Sequence, residues 1–282
     1  MNNPMRSLDG RPGEGSALLA VPSALRAMLA SWRAMSIERF RVSGAGGYLA
    51  IWLLRPIFEL AIAAIIYGTV RPALLRYVVV ALAANAFVFN AIFYVGEILD
   101  RERINGTLVG LFLAPCPRVS WLCGFTLVGL TETVLIAGVA LLCGRVAFGV
   151  RYDPDVAAVA VTLALFMAAL WGLGFVFSAI GLLIKKSNQL SNLVYPLTLL
   201  LGGVYYPVSS LPVWLRYPAH ALPFGYGIQA LADATLYHRG IRDLAPQLLP
   251  LALFAFALPC AGVVAFRLLE RLVRARGELD LY

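Results

Sequence analysis

The chain has 282 residues, of which 61% are hydrophobic and only 13% are charged, and its mean hydropathy is +0.81. Soluble domains are roughly 45–50% apolar and about 25% charged, so this composition excludes a soluble enzyme, a disordered chain and a fibrous protein. The 23 basic and 15 acidic residues give a net charge of +8, which leaves nucleic acid open as a partner until the charges are placed along the chain.

The first 43 residues precede the long apolar runs. Residues 1–20 lack a basic region followed by an apolar one, so no cleavable signal peptide is predicted, and they read as a flexible N-terminus. Within residues 21–43, the apolar side chains of Ser23 to Arg41 share one broad helical face, and most of the arginines lie off it. This pattern predicts an amphipathic helix along the inner membrane surface. A basic anchor that only sets topology and a contact with a cytoplasmic partner are the alternatives.

Six apolar runs are long enough to cross a bilayer as helices, which takes about 20 residues each. Spans 1 to 6 cover residues 48–70, 77–98, 119–144, 156–184, 190–206 and 248–266. Lipid offers the backbone no hydrogen-bond partners, and continuous runs of this length favour helices over the short alternating strands of a barrel. The predicted fold class is an all-α integral membrane protein, with residues 44–282 as a six-helix transmembrane domain.

The basic residues are distributed unevenly between the two sides of these spans. With the N-terminus in the cytoplasm, 15 of the 23 lie in cytoplasmic segments and 7 in outer segments, while Arg55 lies inside span 1. Cytoplasmic loops carry the excess of Lys and Arg, so both termini are predicted to be cytoplasmic. The net charge of +8 is therefore explained by the basic residues on the cytoplasmic side of the membrane, and nucleic acid is excluded as a partner.

The segment between spans 2 and 3 combines a charged run with helix-ending signals. Residues 97–103 are predicted to continue span 2 as a helix, which Gly106 ends in a left-handed conformation. Thr107 is then placed to cap a short amphipathic helix that Pro115 and Pro117 stop. The charged run and the bend that follows it, residues 97–106, are named the elbow. A charged elbow beside an apolar surface favours a docking role, whereas an ordinary loop between two spans would need neither the charges nor the second helix.

The sequence of this segment, EILDRERINGTLVGLFLAP, resembles the motif that follows the second span in permeases of the ABC-2 type. Residues 202–237 are similar to that family's end of the fifth span and outer re-entrant helices, and residues 270–282 to its basic cytoplasmic tail. The resemblance extends from about Ala24 onward in six-span order. Val109 departs from it, since an acidic residue is common at that position.

The resemblance implies that the elbow is a coupling helix that docks on a separate ATPase subunit. The residues expected to couple to the ATPase are Glu97, Asp100, Arg101, Glu102, Arg103, Gly106, Thr107, Leu108 and Leu111. The chain has no G-x-x-x-x-G-K-[ST] motif, so it is not expected to be an enzyme, and ATP and Mg²⁺ belong to the partner. Two ATPase copies and a second permease chain, identical or not, are implied. No cofactor or metal is expected in this chain.

Apart from Glu97 at the end of span 2, the predicted spans contain three acidic or basic residues. Arg55 and Glu59 are spaced as an i,i+4 pair in span 1, and Glu132 lies near the middle of span 3. A carboxylate facing lipid is costly, so Glu132 is expected to face the bundle. These groups either join helices or form a polar relay between the ATPase side and the outer gate, and proton coupling is a third option.

Amide and aromatic side chains are concentrated in spans 2 and 5, which flank the central cavity in the resembled family. The candidate substrate path consists of Asn85, Phe89, Asn90, Phe93, Asn192, Tyr195 and Tyr205. Ordinary core or lipid contact is the alternative for each. Residues 207–244 are too polar and proline-rich to span and are predicted to form short outer, partly re-entrant helices. Gly174-x-x-x-Ser178 is typical of close helix packing.

The expected function is that of a permease subunit of an ABC exporter in the bacterial inner membrane. It would move an amphipathic drug-like or lipid-like substrate out of the cytoplasm or the inner leaflet. Export of a polysaccharide or a lipid-linked oligosaccharide is the alternative. A membrane-embedded lipid-modifying enzyme is less favoured, because the chain has no HExxH motif, no carboxylate cluster and no His–Cys pair.

Overall fold

A computed structural model of the chain describes residues 29, 32–33, 37, 44, 46–47, 54–68, 72–106, 110, 118–184 and 187–276. These residues are predominantly helical and include no β-strand, which agrees with the predicted all-α class. Three predicted features lie wholly or largely outside them: the interface helix at residues 21–43, the short helix with Thr107, Leu108 and Leu111, and the tail at residues 277–282.

Nine α-helices are formed by the described residues. They are α1 (residues 54–67), α2 (Pro72–Phe89), α3 (Ile98–Ile104), α4 (Arg118–Phe148), α5 (Val156–Ile184), α6 (Ser187–Leu201), α7 (Val213–His220), α8 (Pro223–Leu236) and α9 (Ala245–Arg276). A π-helical segment, Asn90–Val95, continues α2 toward α3, and one 3₁₀ turn, Val208–Ser210, precedes α7.

Four stretches of the described chain are long and apolar enough to cross a membrane, and they match predicted spans 2, 3, 4 and 6. They are Leu74–Ile104, Thr126–Phe148, Val156–Gly181 and Ala245–Leu268. The described part of α1 and the 15-residue α6 are shorter, so the six-span arrangement stays a prediction. Span 5 was expected to reach residue 206, but α6 ends at Leu201. Gly202 follows, and Gly203 adopts a φ of 72° that breaks the helical path.

The π-helical segment lies at the centre of the bundle. It is stabilised by an i→i−5 hydrogen bond from the Gly96 N–H to the Ala91 carbonyl, at 3.0 Å. A Cβ atom on Gly174 of α5 would lie 2.7 Å from the Val95 Cβ and 2.8 Å from the Ala91 carbonyl oxygen. Real Cβ atoms do not approach so closely, so α5 packs on this segment because residue 174 is a glycine. The predicted close packing at Gly174 is therefore confirmed.

Helices α5 and α9 pack against each other along much of their length. Their backbones approach where Gly172 faces Pro259, and a Cβ on Gly262 would lie 2.8 Å from the Phe175 Cβ. Small residues permit such contacts in lipid, where van der Waals packing replaces the hydrophobic effect as the attraction between helices.

The proline-rich region after α6 forms short helices, as predicted, and does not span. Pro212 is the N-cap residue of α7, and Pro223 begins α8, where its missing N–H costs nothing. Helix α8 buries Phe224 and Ile228 against the core and contacts α2, α5 and α9. It thereby closes one end of the bundle.

The Gly174→Ala variant is expected to lower the thermal unfolding midpoint of the chain in detergent. Its methyl group would overlap Val95, and overpacking of this kind costs about 1–3 kcal/mol. Gly138→Ala in α4 is the matched control, because a Cβ there meets no atom within 4 Å. Removing this second glycine is expected to leave the midpoint unchanged or raise it. Equal midpoints for the two variants would contradict the close packing at Gly174.

Candidate functional site

Helix α6 is joined to α2, the π segment and α3 by a line of hydrogen bonds, which we name the polar seam. On the α6 side it consists of Ser187, Asn188, Ser191 and Tyr195. Their partners are, in the same order, Asp100, Glu97, Ile92 and Asn85. Residue numbers rise on one side as they fall on the other, so α6 runs antiparallel to its partners.

At one end of the polar seam, two carboxylates bind the beginning of α6. The Ser187 N–H donates to the Asp100 Oδ2 at 3.3 Å, and the Asn188 Nδ2 donates to the Glu97 Oε1 at 3.3 Å. The first N–H groups of a helix have no partners inside the helix and carry partial positive charge, so carboxylates are favoured there. Arg103 forms an ion pair with the buried Asp100. Two predicted ATPase-coupling residues thus contact α6.

The rest of the elbow lies nearer the surface. Gly106 follows α3 with a φ of 71°, so the predicted left-handed helix end is confirmed. Arg101 lies over the Tyr94 ring, with its Cζ 6.0 Å from the ring centroid, and Glu102 is half-buried. Ile104 is 75% exposed at the tip, which presents an apolar side chain beside these charges. Whether this surface binds an ATPase stays a prediction.

At the other end of the polar seam, Tyr195 holds an aromatic and polar cluster together. Its hydroxyl oxygen accepts hydrogen bonds from the Asn85 Nδ2 at 2.8 Å and from the Arg55 Nη2 at 3.5 Å. Its ring meets the rings of Phe89 and Phe93 edge-on, at centroid distances of 5.4 and 5.5 Å. Side chains from α1, α2, the π segment and α6 therefore converge on one tyrosine.

Arg55 makes three kinds of contact, the first of which is its hydrogen bond to the Tyr195 hydroxyl. Its Nε donates to the Glu59 Oε1 at 3.0 Å, as the i,i+4 spacing predicts. Its Cζ lies 3.5 Å from the centroid of the Phe89 ring, a cation–π contact that strengthens away from water. A charged side chain inside a membrane requires such partners.

A cavity of about 40 Å³ adjoins this cluster and brings Glu132 of α4 to it. Its lining includes Arg55, Glu59, Phe89, Tyr94, Glu132 and Thr133. Arg55, Glu59 and Glu132 thus border one space, although the sequence places them in two different predicted spans. The volume suits a water molecule rather than a drug-sized ligand, which needs roughly 300–1,000 Å³. Both the structural and the relay interpretations fit this proximity.

Two residues of the predicted substrate path lie away from the cluster. Asn90 is buried against α4, where it packs directly on Gly129. The Asn192 side chain is exposed, and its Nδ2 donates to the Asn188 carbonyl oxygen at 2.8 Å within α6. Tyr205 lies half-buried in the turn after α6, within electrostatic range of Glu59 and Tyr195. The cluster thus contains Asn85, Phe89, Phe93 and Tyr195, with Tyr205 beside it.

Sequence reasoning missed the seam residues with small side chains. Ser187 and Ser191 lie one helical turn apart, and the Ser191 Oγ donates to the Ile92 carbonyl at 3.3 Å in the π segment. A polar i,i+4 stripe at the start of an apolar run is a signal that would have found them. No local signal identifies the π segment at residues 90–95, whose form depends on packing against α5.

Comparison with known proteins agrees with this architecture. Residues 28–236 match the model of a family described as the ABC-2 type transporter. Over 142 residues, or 50% of the chain, the sequence is 30% identical to the ABC transporter G family member 20 of Dictyostelium discoideum. The chain covers 19% of that relative's length.

The Tyr195→Phe variant is expected to destabilise the chain by about 1–3 kcal/mol, because it leaves the buried Asn85 amide and the Arg55 guanidinium without their shared acceptor. The ring contacts with Phe89 and Phe93 are kept, so the decrease in the free energy of unfolding measures the contribution of the hydroxyl alone. Equilibrium unfolding in mixed micelles measures the change.

The control for this variant is Tyr206→Phe, whose hydroxyl donates to the Leu200 carbonyl at 3.0 Å on the exposed side of the same region. It is expected to change stability by less than the first variant. A stability for Tyr195→Phe equal to that of the parent chain would show that the cluster is not held by this hydroxyl.

Proposed function

Because the chain belongs to the ABC-2 type transporter family and forms its membrane domain, we propose that it is the permease subunit of an ATP-driven exporter. The membrane domain of this family is a transport permease and not itself the ATPase, and the family implies an ATPase partner. The substrate we propose is an amphipathic drug-like or lipid-like molecule that leaves the cytoplasm or the inner leaflet.

The observation that supports this proposal is the polar seam. It links the elbow, where an ATPase would dock, to the intramembrane cluster through a single helix. Ser187 and Tyr195 are eight residues apart in α6, so the helix separates the elbow from the cluster by about 12 Å, most of the hydrocarbon thickness of one leaflet. Displacement of Glu97 and Asp100 would move α6 as a rigid body and carry Tyr195 away from Asn85 and Arg55.

The surroundings of α6 favour its movement over that of α2. Leu193 and Leu197 are 69% and 50% exposed, so one side of α6 faces lipid or a second chain. Most of α2, in contrast, is buried between α4, α5, α6 and α8. In our proposal, ATP-driven motion of the elbow separates α6 from this fixed core, and the small cavity beside Arg55 widens into a path.

The chemistry of the cluster supports the proposed substrate class. Phe89, Phe93 and Tyr195 offer apolar ring faces, while the Arg55–Glu59 pair supplies charge of both signs and Glu132 adds a second carboxyl group across the cavity. An amphipathic molecule needs an apolar surface with few polar contacts. Polysaccharide is less favoured, since Asn85 is the cluster's sole amide among the described residues around Tyr195.

We place the protein in the bacterial plasma membrane with both termini in the cytoplasm. The complete transporter would contain two permease chains and two ATPase subunits, which bind the ATP and Mg²⁺. The excess of basic residues on one side of the spans supports this orientation.

The Asp100→Ala variant is expected to lower the substrate-stimulated ATPase activity of the reconstituted transporter by about fivefold or more, the scale of a typical coupling free energy. The substitution removes the acceptor for the Ser187 N–H. Asp100→Asn keeps an oxygen at this position and is expected to retain most of the stimulation. Turnover is measured in proteoliposomes that contain the cognate ATPase, with and without substrate.

The matched control is Asp243→Ala, an exposed carboxylate in the loop before α9. It is expected to behave like the parent chain. Unchanged stimulation in Asp100→Ala would disprove coupling through the polar seam. Failure of the chain to copurify with any ATPase, or conversion of a lipid by the purified chain alone, would disprove the permease assignment.

A further inference from the structure

A second cavity lies on a different side of the bundle, between α2, α4, α5 and α8. Its volume is about 260 Å³. Apart from Thr235, its lining is made of apolar residues and a glycine, among them Ala84, Gly138, Leu141, Val159 and Leu163. It shares no lining residue with the cavity beside Arg55. We name it the apolar groove.

The apolar groove opens toward the surface of the bundle along α4. Val134 lines it and is nevertheless 50% exposed, and the neighbouring Leu135 is 63% exposed. This part of α4 belongs to a stretch suited to cross a membrane, so the opening faces the hydrocarbon of the bilayer. A Cβ on Gly138 would meet no atom within 4 Å, so α4 leaves space there that no protein atom fills.

A single cationic residue continues the groove-lining face of α4. Val134, Gly138, Leu141 and Arg145 are spaced by four, three and four residues, which places them on one stripe of the helix. Arg145 lies one turn beyond Leu141, close to the helix end at Phe148, where the chain leaves the hydrocarbon. Its side chain is exposed and forms no ion pair within the described part of the chain.

We propose that the apolar groove binds one acyl chain of a membrane phospholipid, whose phosphate group is held by Arg145. The apolar lining suits a hydrocarbon chain, and the guanidinium forms charge-assisted hydrogen bonds with phosphate. The volume lies below the roughly 300–1,000 Å³ of sites for drug-sized ligands, which fits a slender chain. In the predicted orientation, this lipid belongs to the outer leaflet.

The charge at Arg145 favours a phospholipid over other apolar occupants. A second copy of the chain would place carbon side chains in the groove and would leave an exposed arginine at its end without a partner. The apolar groove is separate from the cluster around Tyr195, so its occupant need not be the exported substrate. Phospholipid binding here therefore does not depend on the proposed export function.

Photo-crosslinking tests the occupant directly. The full chain is purified in nanodiscs that contain a phospholipid with a diazirine on one acyl chain, is irradiated, and is digested for mass spectrometry. We expect adducts on residues 134–141 of α4 and residues 159–163 of α5. Gly138→Phe fills the groove and is expected to reduce these adducts to the level found at lipid-exposed residues outside the groove, such as Leu253.

The matched control is Leu135→Phe, which adds an aromatic ring to a lipid-exposed position one residue outside the groove-lining stripe. It is expected to keep the adducts. Equal labelling in Gly138→Phe and Leu135→Phe would mean that only bulk lipid is captured, and would overturn the proposal. Absence of adducts from residues 134–141 of the parent chain, with adducts kept at a lipid-exposed residue outside the groove such as Leu253, would also overturn it, because another chain would then cover the groove.

A second measurement tests the phosphate contact. Arg145→Gln is expected to weaken labelling by the phospholipid probe by about tenfold, as loss of a charge-assisted hydrogen bond predicts. Labelling by a diacylglycerol probe with the same diazirine should not change. Arg242→Gln, an exposed arginine in the loop before α9, serves as the control. Equal effects of Arg145→Gln on both probes would exclude a phosphate site there.

Discussion

The position of α6 depends on one constraint, which is that polar groups removed from water must be satisfied within the protein. Its beginning and its middle carry hydrogen-bonding groups that lipid cannot satisfy, and the polar seam pairs most of them with α2, the π segment and α3. The buried Ser187 Oγ and Asn85 Oδ1 are exceptions, since neither has a hydrogen-bond partner among the described residues. Rotating α6 would expose those groups to hydrocarbon on one side and bury leucines against Asp100 on the other. The seam therefore fixes both the rotation and the register of this helix.

The same constraint accounts for the cluster around Tyr195, near the middle of α6. Arg55 is charged within a predicted span, so it is retained only with a carboxylate, a hydroxyl and an aromatic face around it. Those partners come from α1, α2 and α6, so the cluster joins α1 and α6 to the buried core. A contact that satisfies a charge thus also positions α1 against the bundle.

Features encoded within one helix could be predicted from the sequence, and features that depend on neighbouring helices could not. The limits of α5 and the left-handed Gly106 follow from uninterrupted hydropathy and from a glycine after a charged helix. The convergence of Arg55 and Glu132 on one cavity needs the packing of α1 on α4, and the π segment needs Gly174 opposite Val95. The end of α6 was missed because residues 202–206 are apolar enough to resemble a continuing span.

The two cavities divide the bundle into parts with different mechanical roles. Helices α2, α4, α5 and α8 surround the apolar groove, whereas α1 and α6 meet α2 at the polar cluster. Moving α6 breaks a few hydrogen bonds of long or moderate length, but moving α5 would break the glycine contacts with the π segment and with α9. Tightly packed interfaces have few alternative arrangements, so in the proposed mechanism the motion takes place at the polar interface. An acyl chain in the apolar groove would fill a space of about 260 Å³ among α2, α4, α5 and α8, and would thereby brace α4 in that mechanism.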